Sequence, residues 1–206
     1  MTNTMKHRIL FLAIFFSLIK AEAKKLEFPI EIITGSADLI VIGEIDAVKD
    51  NSYTFKIFET LKGQSYGSIT VNMFKEWTCD VRFDKAKKGQ KLCLFLKKEF
   101  SNWEIINGSN GELPILNNSI ILKHEEYEHV RNQFTPYTIS LFDFKIGIKT
   151  FCKCYKFIGK YASVEKGYFS RIGDDDKINK FKLINNFSAW LNKKNDEVSI
   201  NLKNRV

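Results

Sequence analysis

Three short stretches of the chain hold residue types that could do chemistry. His124-Glu125-Glu126-Tyr127-Glu128-His129 sets two imidazoles and three carboxylates close together, the raw material of a zinc-protease helix. That chemistry needs histidines four apart, so that both reach one metal from one helical face. Here they are five apart, roughly 140° around a helix at about 100° per residue, and on opposite faces of a strand. The stretch reads as a polar connector. Cys152-Lys153-Cys154 offers soft ligands. Structural thiolate pairs, however, are spaced by two or more residues and need a second pair, which Cys79 and Cys93 are too far apart to supply. Asp174-Asp175-Asp176 lacks the alternating ligands, glycine and terminal Glu of a calcium loop, and reads as the acidic first turn of a helix. No Gly-x-Ser-x-Gly, phosphate loop or Cys/His nucleophile pattern is present. The expectation is therefore no catalytic, cofactor-binding or metal-ligating residues, and no cofactor. A secreted enzyme using carboxylates is the remaining catalytic reading, and no carboxylate pair is marked out for it.

The first 23 residues read as a signal peptide. Lys6, His7 and Arg8 precede the apolar run Ile9–Ile19, and Ala21-Glu22-Ala23 fits the small-x-small cleavage pattern. The run is short of the ~20 apolar residues a spanning helix needs, and no later segment is long and apolar enough to span. The mature chain is expected to be exported, either periplasmic or secreted. Export allows disulfides, with Cys79, Cys93, Cys152 and Cys154 as candidates; their pairing stays open, and one long-range bridge or none fits as well as two. Asn107, Asn117 and Asn186 head formal glycosylation sequons.

Charge narrows the partner class. The whole chain carries 32 basic and 24 acidic residues. Residues 24–123 are nearly balanced, with 14 basic against 13 acidic, whereas residues 124–206 carry 15 against 10. Lys145, Lys149, Lys153, Lys156 and Lys160 run beside an apolar stripe and form a candidate strip for an anionic surface. Lys56, Phe58, Trp77 and Arg82 could give a barrel a basic, aromatic face for nucleic acid. An exported, nearly neutral barrel is better matched to a protein partner in the envelope or outside the cell.

Two regimes of apolar spacing set the elements that would position these residues. From about 38 to 123 the period is two; from about 135 to 195 it is three and four. Leu39, Val41, Gly43, Ile45 and Ala47 share one face of a first strand. Lys49-Asp50-Asn51 turns directly into a second, in which Tyr53, Phe55, Ile57 and Glu59 alternate with polar neighbours. Further strands are expected at Ile69–Met73, Leu92–Leu96, Trp103–Ile106 and Ser119–Leu122. The chain offers no crossover helix and no glycine-rich turn after the first strand, which excludes a dinucleotide-binding domain. Gly43, inside the strand, marks a bulge or barrel bend. The fold class is mainly β with C-terminal helices (α+β): an OB-like antiparallel barrel of five or six strands over 24–123, then a helical segment over 124–206. One helix carries Leu141, Phe144, Ile148, Phe151, Tyr155 and Ile158; a second, after Asp174, carries Phe181, Leu183, Ile184, Phe187, Trp190 and Leu191. They pack on the barrel or on each other.

The order ADLIVIGEI, YTFKIFETLKG, ITV, WTCDVRF, KGQKLCLFL, over roughly residues 36–100, resembles the netrin-like domain of tissue inhibitors of metalloproteinases and secreted bacterial relatives. The resemblance implies an OB-like barrel. It does not carry inhibition with it, because those inhibitors chelate the protease zinc through an N-terminal Cys-x-Cys, and the mature start expected here is Lys24-Lys25-Leu26-Glu27. Cys79 is similar to the family's strand-proximal cysteine, without its N-terminal partner. The expected function is an exported, non-catalytic binding module; the alternative is a protease inhibitor acting through barrel loops.

Overall fold

The structure, a computed structural model, describes residues 28–78, 80–122, 138–159 and 167–203. The segment expected to be a signal peptide, Cys79, the His124–His129 connector and Lys160 lie outside the described residues.

Five strands close on themselves. Strand β1 (Leu39–Val48) pairs antiparallel with β2 (Ser52–Lys62) on one side and with β4 (Lys91–Glu99) on the other. Strand β3 (Ser68–Asn72) continues from β2, and β5 (Asn102–Ile105) from β4. The seam between β3 and β5 is parallel, with Val71 opposite Trp103 and Asn72 opposite Glu104. The other four seams of the barrel are antiparallel, as expected. Direction cannot alternate all the way round an odd number of strands, so one seam must be parallel. The order β1-β2-β3-β5-β4-β1 is OB-like.

The barrel interior is filled by Leu39, Val41, Ile45, Tyr53, Phe55, Val71, Leu92, Leu94, Leu96 and Ile105. Gly43 lets β1 and β2 approach closely: a Cβ there would meet the Lys56 carbonyl oxygen at 2.0 Å. The register shifts between Ile42 and Gly43, as a bend at an interior strand glycine requires.

Strands β1 and β4 are apolar on both faces because they serve two cores. Ile40, Ile42, Cys93 and Phe95 point outward into a second cluster. That cluster joins helices α1 (Ile30–Ser36), α2 (Leu141–Cys154), α3 (Asp175–Leu183) and α4 (Asn186–Lys203). Phe144 of α2 meets Phe95 edge-on at 6.5 Å and stacks on Phe187 of α4 at 5.4 Å. The helices therefore pack both on the barrel and on each other. Strands β6 (Glu112–Leu116), β7 (Ser119–Ile121) and β8 (Thr138–Ser140) extend the sheet from β4 towards α2. The segment Ser119–Leu122 thus belongs to this extension and not to the barrel. A 3-10 turn, Gly108–Gly111, leads into β6.

Both helical expectations need correction. The stripe from Leu141 does not reach Ile158 as one helix: α2 stops at Cys154, and Tyr155–Ile158 forms β9, paired with β10 (Tyr168–Arg171). Tyr155 and Phe157 are buried while Lys156 and Ile158 are exposed, the period of a strand. Phe157 is held by Phe169 across the pair, with ring centroids 5.3 Å apart. The second helix is two. Asn185 interrupts it, its side-chain carbonyl accepting from Ser188 N at 2.8 Å and so capping α4. Leu183, expected on the apolar face, is 85% exposed as a result. Asp174 does begin a helix, accepting from Lys177 N at 2.8 Å. Helix α1 and strands β6, β8, β9 and β10 were not expected.

Candidate functional site at the loop end of the barrel

The long β3–β4 connection, residues 73–90, crosses one end of the barrel without a helix of its own. An irregular loop of this length is uncommon in a compact domain, where such loops are either functional or linkers. Its residues alternate between anchors and presented side chains. Asp80 and Arg82 turn inward; Val81 and Phe83 turn outward, 49% and 55% exposed, with Trp77 39% exposed beside them. Extended backbone sends successive side chains to opposite sides, which makes this division possible.

Each anchor has a specific socket. Asp80 accepts from the Ser109 amide at 3.0 Å and the Ser109 hydroxyl at 2.6 Å. A Cβ on Gly108 would lie 1.9 Å from the Asp80 carboxylate, so the 3-10 turn has to present glycine there. Asp80 also bridges back to Trp77, main chain to main chain, at 2.9 and 3.2 Å. Arg82 lies over the Phe74 ring, 4.1 Å from its centroid, and its Nε donates to Glu112 Oε1 at 2.8 Å. Glu112 Oε2 accepts from the Tyr53 hydroxyl at 2.9 Å. The side chains of Arg82 and Glu112 are 6% and 5% exposed. Glu76 closes the group from outside, accepting from the Arg82 amide at 2.7 Å.

The electrostatics follow from that burial. Glu112 is held above its ordinary pKa by desolvation, against the opposing pull of Arg82 and the Tyr53 hydrogen bond. Tyr53 is raised well above its own, first by burial and then by the adjacent carboxylate. Both Glu112 oxygens already accept hydrogen bonds, so chemically the group is an anchor for the loop. Beside it, the β1–β2 turn and the loop enclose a cleft of about 540 Å³. Lys49, Lys75, Arg82 and Lys85 line it against Asp50 and Glu76. Among the described residues no three His, Cys, Asp or Glu side chains converge to hold a metal ion.

The residues singled out from the sequence fall elsewhere. Lys145 and Lys149 converge on Glu59, at 2.8 and 2.6 Å, tying α2 to β2. Burial alone would raise the Glu59 pKa; the two lysine hydrogen bonds outweigh it and hold the carboxylate below its usual range. Lys153 sits at the end of α2 and Lys156 on β9, so the five lysines do not lie along one helix. Cys93, Cys152 and Cys154 carry free thiols. Of the proposed nucleic-acid face, Lys56 lies over Phe58 at 5.9 Å on the outside of β2, whereas Arg82 is turned inward. Tyr53 and Glu112 were not recognised as site residues. The legible signal was Glu112 heading the apolar run Leu-Pro-Ile-Leu, with Pro114 masking the strand.

Compared with family models, curated proteins and solved structures, the chain matches none.

Proposed function

We propose that the chain is an exported, non-catalytic binding module whose working surface is this loop end of the OB-like barrel, and whose partner is a protein. One observation carries the reading: Trp77, Val81 and Phe83 are held outward by anchors buried in the barrel wall. Exposed aromatic side chains on a braced loop suit interface hot spots. Bracing also lowers the ordering cost of association, since the loop is already fixed. The buried Arg82–Glu112 pair supports the same reading, because such a pair costs desolvation that packing alone would avoid. Export rests on residues 1–23, and among the described residues no helix is long and apolar enough to cross a membrane.

A second reading, inhibition of a protease through the barrel loops, is favoured by the netrin-like strand order together with the exposed loop aromatics. The two are separable by experiment. Protein with an authentic Lys24 start is assayed against metalloproteases; absence of inhibition at micromolar dose removes the second reading. Turnover on a broad peptide, ester and glycoside panel removes the first.

A further inference from the structure

At the opposite end of β1 lies a second cavity, of about 500 Å³, between the barrel and the C-terminal elements. It is lined by the last residues of α1, the end of β2, β4 and β9. Among the described residues its charged groups are Lys62, Lys97, Lys156 and Asp38, so basic groups outnumber acidic ones, although burial lowers the Lys62 pKa. There is no arginine among them.

The lysines are incompletely used. Lys62 Nζ donates to the carbonyls of Thr34 and Gly35, both at 2.8 Å, leaving one of its three protons. Lys97 Nζ makes only long contacts, 3.3 Å to Asp38 Oδ1 and 3.4 Å to Ser36 O. Lys156 has no partner among the described residues. The neighbouring Cys152 thiol, pushed up to about 11 by burial, is neutral at physiological pH and repels no anion. Tyr155, Phe157 and Ile172 make the remaining wall apolar.

We propose that this cavity binds a phosphate monoester, its dianionic head held by Lys62, Lys97 and Lys156 and its organic body against Tyr155, Phe157 and Ile172. Lysine ammoniums act as compact point charges with rotatable donors, and lysine is a common phosphate ligand. The volume falls in the range of small-molecule sites and exceeds what a bare phosphate fills. This site is separate from the loop end and does not depend on the function proposed for it.

The test uses the full mature chain and three probes: inorganic phosphate, phenyl phosphate, and vesicles containing phosphatidic acid. Phenyl phosphate is expected to bind about tenfold more tightly than inorganic phosphate, because it also covers the apolar wall. K97A/K156A changes two exposed residues and is expected to weaken binding by at least about tenfold, the loss of charge-assisted hydrogen bonds. The equally basic control K87A/K88A, on the other loop end, leaves it unchanged. Pair-dependent binding of phenyl phosphate alone identifies a soluble ester; pair-dependent binding of vesicles identifies a lipid head. Binding that is equal in the two double variants, or absent for all three probes at millimolar concentration, overturns the site. Unchanged circular-dichroism melting of K97A/K156A shows that a loss is local.

Discussion

Replacing Arg82 by methionine tests how the loop end is held. The substitution keeps much of the side chain's length over Phe74 and removes its charge. Glu112 is then left 5% exposed with the Tyr53 hydroxyl as its nearest donor. Breaking a buried ion pair from one side costs about 3–5 kcal/mol, because the remaining charge is uncompensated. For a chain of this size that corresponds to a fall in Tm of roughly 6–20 °C, at about 2–4 °C per kcal/mol. The cost should depend on pH in a defined direction. Burial already holds the Glu112 pKa above its ordinary value with Arg82 present, and without the guanidinium it rises further. A carboxyl whose folded pKa exceeds the unfolded one binds its proton more tightly when folded, so stability is gained as pH falls towards the unfolded value. The variant's deficit should therefore shrink as pH falls from neutral towards the unfolded carboxylate range. Adding Glu112→Gln removes the stranded charge and should return part of the loss at neutral pH. The assay is urea denaturation of wild type, R82M, E112Q and the double variant at several pH values, with the coupling energy taken from the cycle. A deficit for R82M under about 1 kcal/mol, the range of exposed ion pairs, or one that does not change with pH, refutes the anchoring argument.

Other perturbations have equally definite outcomes. Glu59→Gln frees Lys145 and Lys149 and should cost about 1 kcal/mol near neutral pH, the sum of two partly exposed pairs. Because the Glu59 pKa is lowered in the fold, its contribution is present above the unfolded pKa and lost as pH falls through the folded one, so the difference from wild type should vanish in acid melts. Gly43→Ala forces a Cβ to within 2.0 Å of the Lys56 carbonyl and should destabilise by about 1–3 kcal/mol as overpacking does, read by denaturation. Cys93 is fully buried with its thiol raised by that burial, so alkylation followed by mass spectrometry should label it in denaturant and leave it unlabelled in the native protein near neutral pH.

The barrel was legible because Tyr53, Phe55 and Ile57 alternate with polar neighbours, and because Leu92–Leu96 is apolar on both faces, which demands a core on each side. The second core could be inferred from that run; its closure by α1 could not, since Ile30–Ser36 is only seven residues long and carries no side-chain cap. The end of α2 was missed for a related reason. Tyr155 fits both the helical stripe from Phe151 and the strand face shared with Phe157, and the choice falls to pairing with Tyr168–Arg171, far along the chain. At the loop end, Trp77 and Arg82 were visible as residue types, but which of them points inward depends on Glu112 and Asp80 finding their partners. Those partners lie about thirty residues away in sequence, at Arg82–Glu112 and Asp80–Ser109, beyond the reach of any local pattern.

The central claim is that the braced aromatics of the β3–β4 loop contact a protein partner. The direct measurement is affinity capture from envelope and secreted fractions of the source, with three baits beginning at Lys24: wild type, Trp77→Ser/Phe83→Ser, and Leu183→Ser. All three positions are exposed, so each bait should fold alike. One partner is expected to be retained by wild type and Leu183→Ser and lost from the loop variant. A partner that the loop variant retains as strongly as wild type contradicts it.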